Sequence, residues 1–355
     1  MDNYKKVQKL LQKLSLDAVI ISNGNNIRYI SGFAGGTGYL YLSESRHAVI
    51  TDSRYTIQAE QEAEGYEIIT IEGGSYVEAL NDFLITDRIN RLGFEDEDML
   101  FGTYSRLKAS LTVKEFVPVG NEITNMRKIK TPRELEFIKK AESIGDQVFT
   151  EILDFIKPGR TELEIAAKIE YLLKIRGGND ISFPSVVVSG INSSKPHGVP
   201  THKKVENGDF LTMDFGCIYE GYCSDMTRTI VIGKANEKQK DIYNTVLKAQ
   251  MAALEFLKAG YQGREVDKVA RDIIYGAGYK GCFGHGLGHS IGLEIHENPR
   301  LSAYEEDIIL AGMTETVEPG IYVKGFGGVR IEDLVVVTED GCENFTHSRK
   351  ELIEL

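Results

Sequence analysis

The chain has 355 residues, enough for two domains with well-buried cores. Lysine plus arginine number 41 against 53 aspartates plus glutamates, a formal charge of -12 that argues against a nucleic-acid partner. Hydrophobic residues make up 42%, and no apolar run approaches the ~20 residues of a bilayer span, so the sequence reads as a globular, soluble chain with no membrane partner.

The stretch from Met1 to Val7 leads into a lysine-rich amphipathic segment without the apolar core of a secretory signal, and the expected location is cytoplasmic. Helical periodicity at Tyr4, Val7, Leu10, Leu11 and Leu14 is followed by the strand-like run Ala18 to Ile21 and a glycine-rich turn from Gly32 to Gly38. Further strand-like runs at 48–50, 68–71 and 116–119 are separated by helical segments near 55–64, 76–86 and 101–110. Residues 1–125 therefore read as an α/β domain. In Thr131-Pro132-Arg133-Glu134, threonine caps, proline takes the first helical position and Glu134 completes a capping box, so a long helix is predicted from there to Ile156-Lys157. The domain boundary is placed within 123–131, and the second domain is read as 126–355.

That second domain echoes itself. Phe155-Ile156-Lys157-Pro158-Gly159 recurs as Phe256-Leu257-Lys258-Ala259-Gly260, and the same offset pairs Glu164 with Glu265 and Gly177 with Gly278. A shared register of this length predicts two pseudo-equivalent halves, each of helices followed by strands, with any site between them drawing residues from both. Cys217, Cys223, Cys282 and Cys342 form no CxxC pair and read as reduced, buried small hydrophobes.

Chemistry concentrates in three stretches. Leu211 to Gly216 and Gly221 to Thr229 read as strands around a turn at Glu220-Gly221, which puts Asp214 and Asp225 on one side as opposite or diagonal neighbours. Two such carboxylates repel unless a cation sits between them. In Phe283-Gly284-His285-Gly286-Leu287-Gly288-His289-Ser290 the glycines argue against a helix and for an open loop. Glu318 and Glu332 each stand in an otherwise apolar strand, and Pro319 ends the ladder directly after Glu318. Four carboxylates and one imidazole, Asp214, Asp225, His289, Glu318 and Glu332, favour Mn²⁺ or a similar hard divalent ion, and bridging carboxylates suit a pair of ions in a hydrolytic site.

The order and spacing of these residues resemble the pita-bread metallopeptidases, the group of methionine aminopeptidase, prolidase and aminopeptidase P. Tyr29-Ile30-Ser31-Gly32-Phe33 and Asp52-Ser53-Arg54-Tyr55 look like the creatinase-type N-terminal domain, which favours the proline-directed branch. The resemblance implies a creatinase-like α/β domain followed by an α+β pita-bread catalytic domain, and a homodimer. It implies two divalent ions per chain, most readily Mn²⁺, with Co²⁺ or Zn²⁺ as substitutes. Asp214 would be a terminal ligand of one ion, Asp225 and Glu332 would bridge, and His289 and Glu318 would hold the other. Glu318 would also move a proton. His197 and His296 would stabilise the oxyanion, His285 would stand near the site, and Arg330 would orient a bridging carboxylate or meet substrate charge. The activity favoured on this resemblance is an Xaa-Pro aminopeptidase acting on peptides with proline second. The alternatives are an Xaa-Pro dipeptidase, which needs a cation closing the cleft around a free carboxylate, and, more remotely, a non-metal or non-catalytic protein of the same fold. One departure stands out: Thr314 and Glu315 occupy positions where the family usually has apolar residues, and alternation places Glu315 on the face opposite Glu318.

Overall fold

The structure, a computed structural model, describes residues 2–73 and 75–355. It divides into two compact units, Met1–Arg127 and Lys128–Leu355. In the first unit, helix α1 (Asp2–Leu14) buries Val7, Leu10 and Leu11, the stripe its periodicity defines. Strand β1 (Ala18–Ile21) is buried at all four positions because it is central in a six-stranded sheet, between neighbours on both sides. The remaining elements are α2 (Gly24–Ser31), β2 (Tyr39–Ser43), β3 (His47–Asp52), α3 (Thr56–Glu62), β4 (Glu67–Ile71), α4 (Tyr76–Thr86), β5 (Arg91–Phe94), α5 (Phe101–Ser110) and β6 (Glu115–Pro118). Sheet order is β4-β3-β2-β1-β5-β6, with β2 antiparallel to both of its neighbours and the other pairs parallel.

Three of these elements escape the sequence reading. Helix α2 begins on the helix-poor Gly24-Asn25-Asn26 and depends on its cap, the Asn23 side chain accepting from the Asn26 N–H at 3.0 Å. Strands β2 and β5 lack alternation, β2 because it lies inside the sheet and β5 because its four residues include Gly93.

The second unit repeats a pattern. Helix α6 (Pro132–Phe155) starts at the predicted capping box, with Thr131 and Glu134 exchanging both bonds, and α7 (Glu162–Ile175) packs on it. Strands β7 (Asp180–Ile181), β8 (Val186–Ser189), β9 (Phe210–Phe215), β10 (Cys217–Tyr219), β11 (Tyr222–Cys223) and β12 (Met226–Val231) come next. The second half opens with α8 (Glu237–Phe256) and α9 (Gly263–Gly276), which again pack together. Helices α7 and α9 sit in the same relative register, and the glycines ahead of them, Gly159 and Gly260, share φ values of 93° and 94°. Strands β13 (Gly288–Ser290), β14 (Glu297–Leu301), β15 (Thr314–Val317), β16 (Gly320–Val323), β17 (Gly327–Arg330), β18 (Asp333–Val337) and β19 (Cys342–Asn344) complete it. The first half builds the sheet β12-β9-β8 and the second the sheet β14-β13-β15-β18-β19, each over its own apolar core. This is the pita-bread arrangement the resemblance implied.

One local expectation is narrowed to one of its two alternatives, and another changes. The hairpin turns at Glu220-Gly221 with both φ positive, as a two-residue turn of the I′ kind requires, but Thr227 rather than Asp225 lies opposite Asp214. Asp225 is the diagonal neighbour. The expected open loop over 284–290 is only partly open, because Gly288–Ser290 is a strand paired with both β14 and β15. Gly288 is needed for close approach rather than for flexibility: a Cβ there would lie 1.8 Å from the Thr316 carbonyl oxygen. Gly288→Ala is therefore expected to force β13 from β15 and to cost about 1–3 kcal/mol in denaturant unfolding, the range of overpacked positions. Gly284→Ala, with nothing within 4 Å of its Cβ, should unfold like the parent chain.

Candidate metal centre and active site

Three of the four carboxylates of the predicted set sit next to an interruption of a strand, and Asp214 lies within the ladder, paired with Val186 on one side and Thr227 on the other. Asp225 immediately precedes β12, Glu318 immediately follows β15, Glu332 lies in the break between β17 and β18, and Asp214 is the penultimate residue of β9. At such breaks a side chain leaves the pleat and enters a cavity. All four, with His285, His289, His296, His197 and Arg330, line a single cavity of about 730 Å³.

Inside it, ligand atoms of Asp225, His289 and Glu332 lie within 4.8 Å of one another, and all three residues are buried. His289 Nδ1 sits 3.1 Å from the Ser290 carbonyl oxygen and can only donate to it, which leaves Nε2 as an acceptor. That nitrogen is 3.6 Å from Asp225 Oδ2 and 3.6 Å from Glu318 Oε1. Burial lowers the His289 pKa to about 3, so the ring is neutral and its lone pair free for a cation.

The carboxylates behave in the opposite sense. Burial raises Asp225 and Glu332 well above the usual range, and the carboxylates crowded around each raise them further. Glu318 is pushed up by burial to about 8. Three oxygens facing this space, Asp214 Oδ1, Asp225 Oδ1 and Glu332 Oε1, are buried without a hydrogen-bond partner among the described residues. Orphaned anionic oxygens that converge with a neutral imidazole fit divalent cations, and no protein donor answers them.

The surrounding bonds fix these groups. Thr227 Oγ1 donates to Glu332 Oε2 at 2.6 Å and accepts from Arg330 Nε at 2.9 Å. Thr316 Oγ1 accepts from the His289 N–H at 3.1 Å. Arg330 is buried, donates to Asp214 Oδ2 and to the Pro196 carbonyl oxygen, and reaches the Tyr322 hydroxyl at 2.8 Å. Tyr322 in turn lies 2.9 Å from His285 Nε2. Since His285 Nδ1 donates to the Gly286 carbonyl oxygen, Nε2 must accept the Tyr322 proton. His285 is therefore held as a neutral acceptor, its pKa lowered to about 3 mainly by burial, and its assignment changes from a group near the chemistry to one that steadies Tyr322 and Arg330.

His197 and His296 are exposed at the cavity wall, and neither ring nitrogen has a hydrogen bond among the described residues. The His296 ring packs edge-on against His289 at 4.5 Å. Glu315 lies outside this cavity, fully buried in β15 with neither carboxylate oxygen hydrogen-bonded among the described residues, and burial raises its pKa well above the usual range. Sequence reasoning did not find Thr227, Thr316, Tyr322 or Arg300. Only contacts made in three dimensions select them, and none has a distinctive local motif.

The profile described as metallopeptidase family M24 matches residues 136–339, and that of the creatinase/prolidase N-terminal domain matches residues 4–129. The chain belongs to metallopeptidase family M24. An Xaa-Pro dipeptidase of Pyrococcus horikoshii is 40% identical over 355 residues, covering 99% of each chain. The solved Xaa-Pro dipeptidase from Bacillus anthracis superposes with a TM-score of 0.97 at 41% identity, covering 100% of this chain and 99% of that one. The X-Pro aminopeptidase of Thermotoga maritima gives 0.91 at 38% identity, covering 97% and 99%. Among the described residues of this M24 chain no helix is long and apolar enough to cross a membrane.

The raised carboxylate pKa values carry a sign. Stripped of metal, the folded chain binds more protons here than the unfolded chain, so the folded state loses stability as pH rises from the ordinary carboxylate range toward the Glu318 value of about 8. A bound divalent cation offsets the same repulsion. The gap in Tm between Mn²⁺-loaded and chelator-stripped protein should widen from about pH 5 to about pH 8 in scanning calorimetry. A gap independent of pH would mean that these carboxylates do not face the cation.

Proposed function

We propose that this M24 chain is an Xaa-Pro dipeptidase, in place of the aminopeptidase favoured on resemblance alone. The observation that carries this is Arg300. It lines the cavity four residues beyond His296, and no carboxylate within the described residues pairs with its guanidinium. A cation free inside a hydrolytic cleft is the group required to receive the C-terminal carboxylate of a dipeptide, by a charge-assisted bond that a longer substrate would lack. The names of the relatives at about the same identity point the same way more often than to an aminopeptidase.

In this reading Asp214, Asp225, His289, Glu318 and Glu332 hold two divalent ions, with Mn²⁺ the native metal, in a cytoplasmic homodimer. Bound there, the ions would polarise the scissile carbonyl and activate a water. The chain's own groups do the rest. His197 and His296, untethered at the wall, donate to the carbonyl oxygen as negative charge develops on it. Glu318, whose pKa burial pushes up to about 8, holds the proton destined for the leaving proline nitrogen. Asp214, fixed by Arg330, faces the substrate ammonium. The proline nitrogen has no N–H, so the cleft need supply no acceptor there and can enclose the ring with surfaces such as Phe183 and Ile295.

Hydrolysis of Xaa-Pro, Xaa-Pro-Yaa and Xaa-Pro-amide, monitored by mass spectrometry, tests the reading. Xaa-Pro should be cut far faster than the tripeptide. Arg300→Ala should lower kcat/KM for the dipeptide by roughly 10–100-fold, the loss of one charged hydrogen bond, and leave the amide nearly unchanged. Preferential cleavage of Xaa-Pro-Yaa, with Arg300→Ala silent on both peptides, would restore the aminopeptidase.

A further inference from the structure

Behind the metal centre lies a polar network that none of the proposed catalytic roles uses, and it converges on the C-terminal segment. Glu142, on α6 and fully buried, accepts the Asp225 N–H on Oε2 at 3.3 Å. Its other oxygen accepts from Thr346 Oγ1 at 2.6 Å. The same hydroxyl accepts the Leu334 N–H at 2.8 Å, two residues after Glu332. One buried hydroxyl thus ties together the two backbone segments that present Asp225 and Glu332.

A second tie is made by Arg228, one of the largest fully buried side chains in the molecule. Its Nη1 donates to the Thr227 carbonyl oxygen at 3.0 Å and to the Glu332 carbonyl oxygen. Nη2 donates to Asp333 Oδ1 and to the Ser348 carbonyl oxygen, both at 2.8 Å, and Nε donates to the Arg349 carbonyl oxygen at 3.2 Å. All five N–H donors are used. Asp333 is held further by Asn344 and Lys350, each at 2.7 Å. Asp146, one helical turn beyond Glu142, accepts the N–H groups of His347 and Ser348 at 2.9 and 2.7 Å. The segment 344–350 is therefore fastened to α6 on one side and to the strands behind Glu332 on the other.

We propose that residues 344–350 are a working part of the metal centre: through Thr346 and Arg228 they position Asp225 and Glu332, and metal loading in turn orders them. Bridging carboxylates must be aimed within a few tenths of an ångström while their charges push them apart, and rigid outer partners supply that aim. Coupling of this kind is reciprocal, so a tail that tightens metal binding is itself tightened by metal. The inference rests on the metallopeptidase reading, since it needs the two carboxylates to be ligands.

The test uses the full chain, stripped by chelator and titrated with Mn²⁺ by calorimetry. Thr346→Val keeps the volume and removes the hydroxyl, and is expected to weaken the looser of two Mn²⁺ sites by roughly 10–100-fold. Thr346→Ser, which retains the donor and the acceptor, should restore it even if it is less stable than the parent. Glu142→Gln, still able to accept from Asp225 and to donate to Thr346, should bind close to the parent, and Glu142→Leu should not. Hydrogen exchange of the parent chain provides the reciprocal readout: the amides of His347 and Ser348 should exchange more slowly with Mn²⁺ than without. Parent-like Mn²⁺ binding by a folded Thr346→Val, or tail exchange indifferent to Mn²⁺, overturns the proposal while leaving the metallopeptidase reading intact. A parent chain that binds no Mn²⁺ overturns both.

Discussion

Mutual repulsion among buried carboxylates is the constraint on which the rest of the structure depends. Asp214, Asp225, Glu318 and Glu332 share one cavity with His289, three of their oxygens have no protein donor among the described residues, and burial favours the protonated form of Asp225, Glu318 and Glu332. A fold that gathers anions in this way gives up stability locally and recovers it only when divalent charge is bound. The cavity wall accordingly contains Arg330, placed to hold one carboxylate, and His285 and His289, kept neutral so that neither ring adds a positive charge beside the ligand oxygens.

The chain brings these anions together through its repeated architecture. Each half supplies a helix pair, a core and a sheet, and three of the four acidic side chains come from strand ends and interruptions, while Asp214 projects from β9 between Val186 and Thr227 of its two neighbours. A strand in full register would have its side chains fixed by the pleat. At a break the backbone is released, and its polar groups need partners of their own. The Asp225 N–H finds one in Glu142 and the Glu332 carbonyl finds one in Arg228, so the outer network is a direct consequence of interrupting the strands that present the ligands.

In the proposed function, selectivity rests on a different kind of residue. In the proposed dipeptidase reading the ligand set and the histidines at the wall would serve any bond before proline, whereas a free guanidinium in the cleft would distinguish a proline ending in a carboxylate from one that continues into a longer peptide. Arg300 has this position because β14 returns antiparallel to β13, which also places His296 against His289. On that reading, a change of one side chain on that strand would alter the length of peptide preferred without touching the metal ligands.

Much of this was legible in the sequence. The capping box at Thr131 and Glu134, the repeated helix pairs and the carboxylates set in apolar surroundings are local features, and each is fixed by interactions spanning a few residues: a cap, a period, the cost of an unpaired charge. The order and spacing of Asp214, Asp225, His289, Glu318 and Glu332 were enough to name the family. Tertiary structure alone decided the contacts between groups far apart in the chain. It placed His289 on a strand instead of an open loop, because Gly288 lets that backbone approach Thr316. It made His285 a partner of Tyr322, whereas the placement of Glu315 outside the cavity already followed from strand alternation. It also joined Glu142, Arg228 and Thr346 across separations of up to 204 residues. Such contacts leave no periodicity in the sequence, since a hydrogen bond is specified by where two atoms meet and not by the residues that flank them.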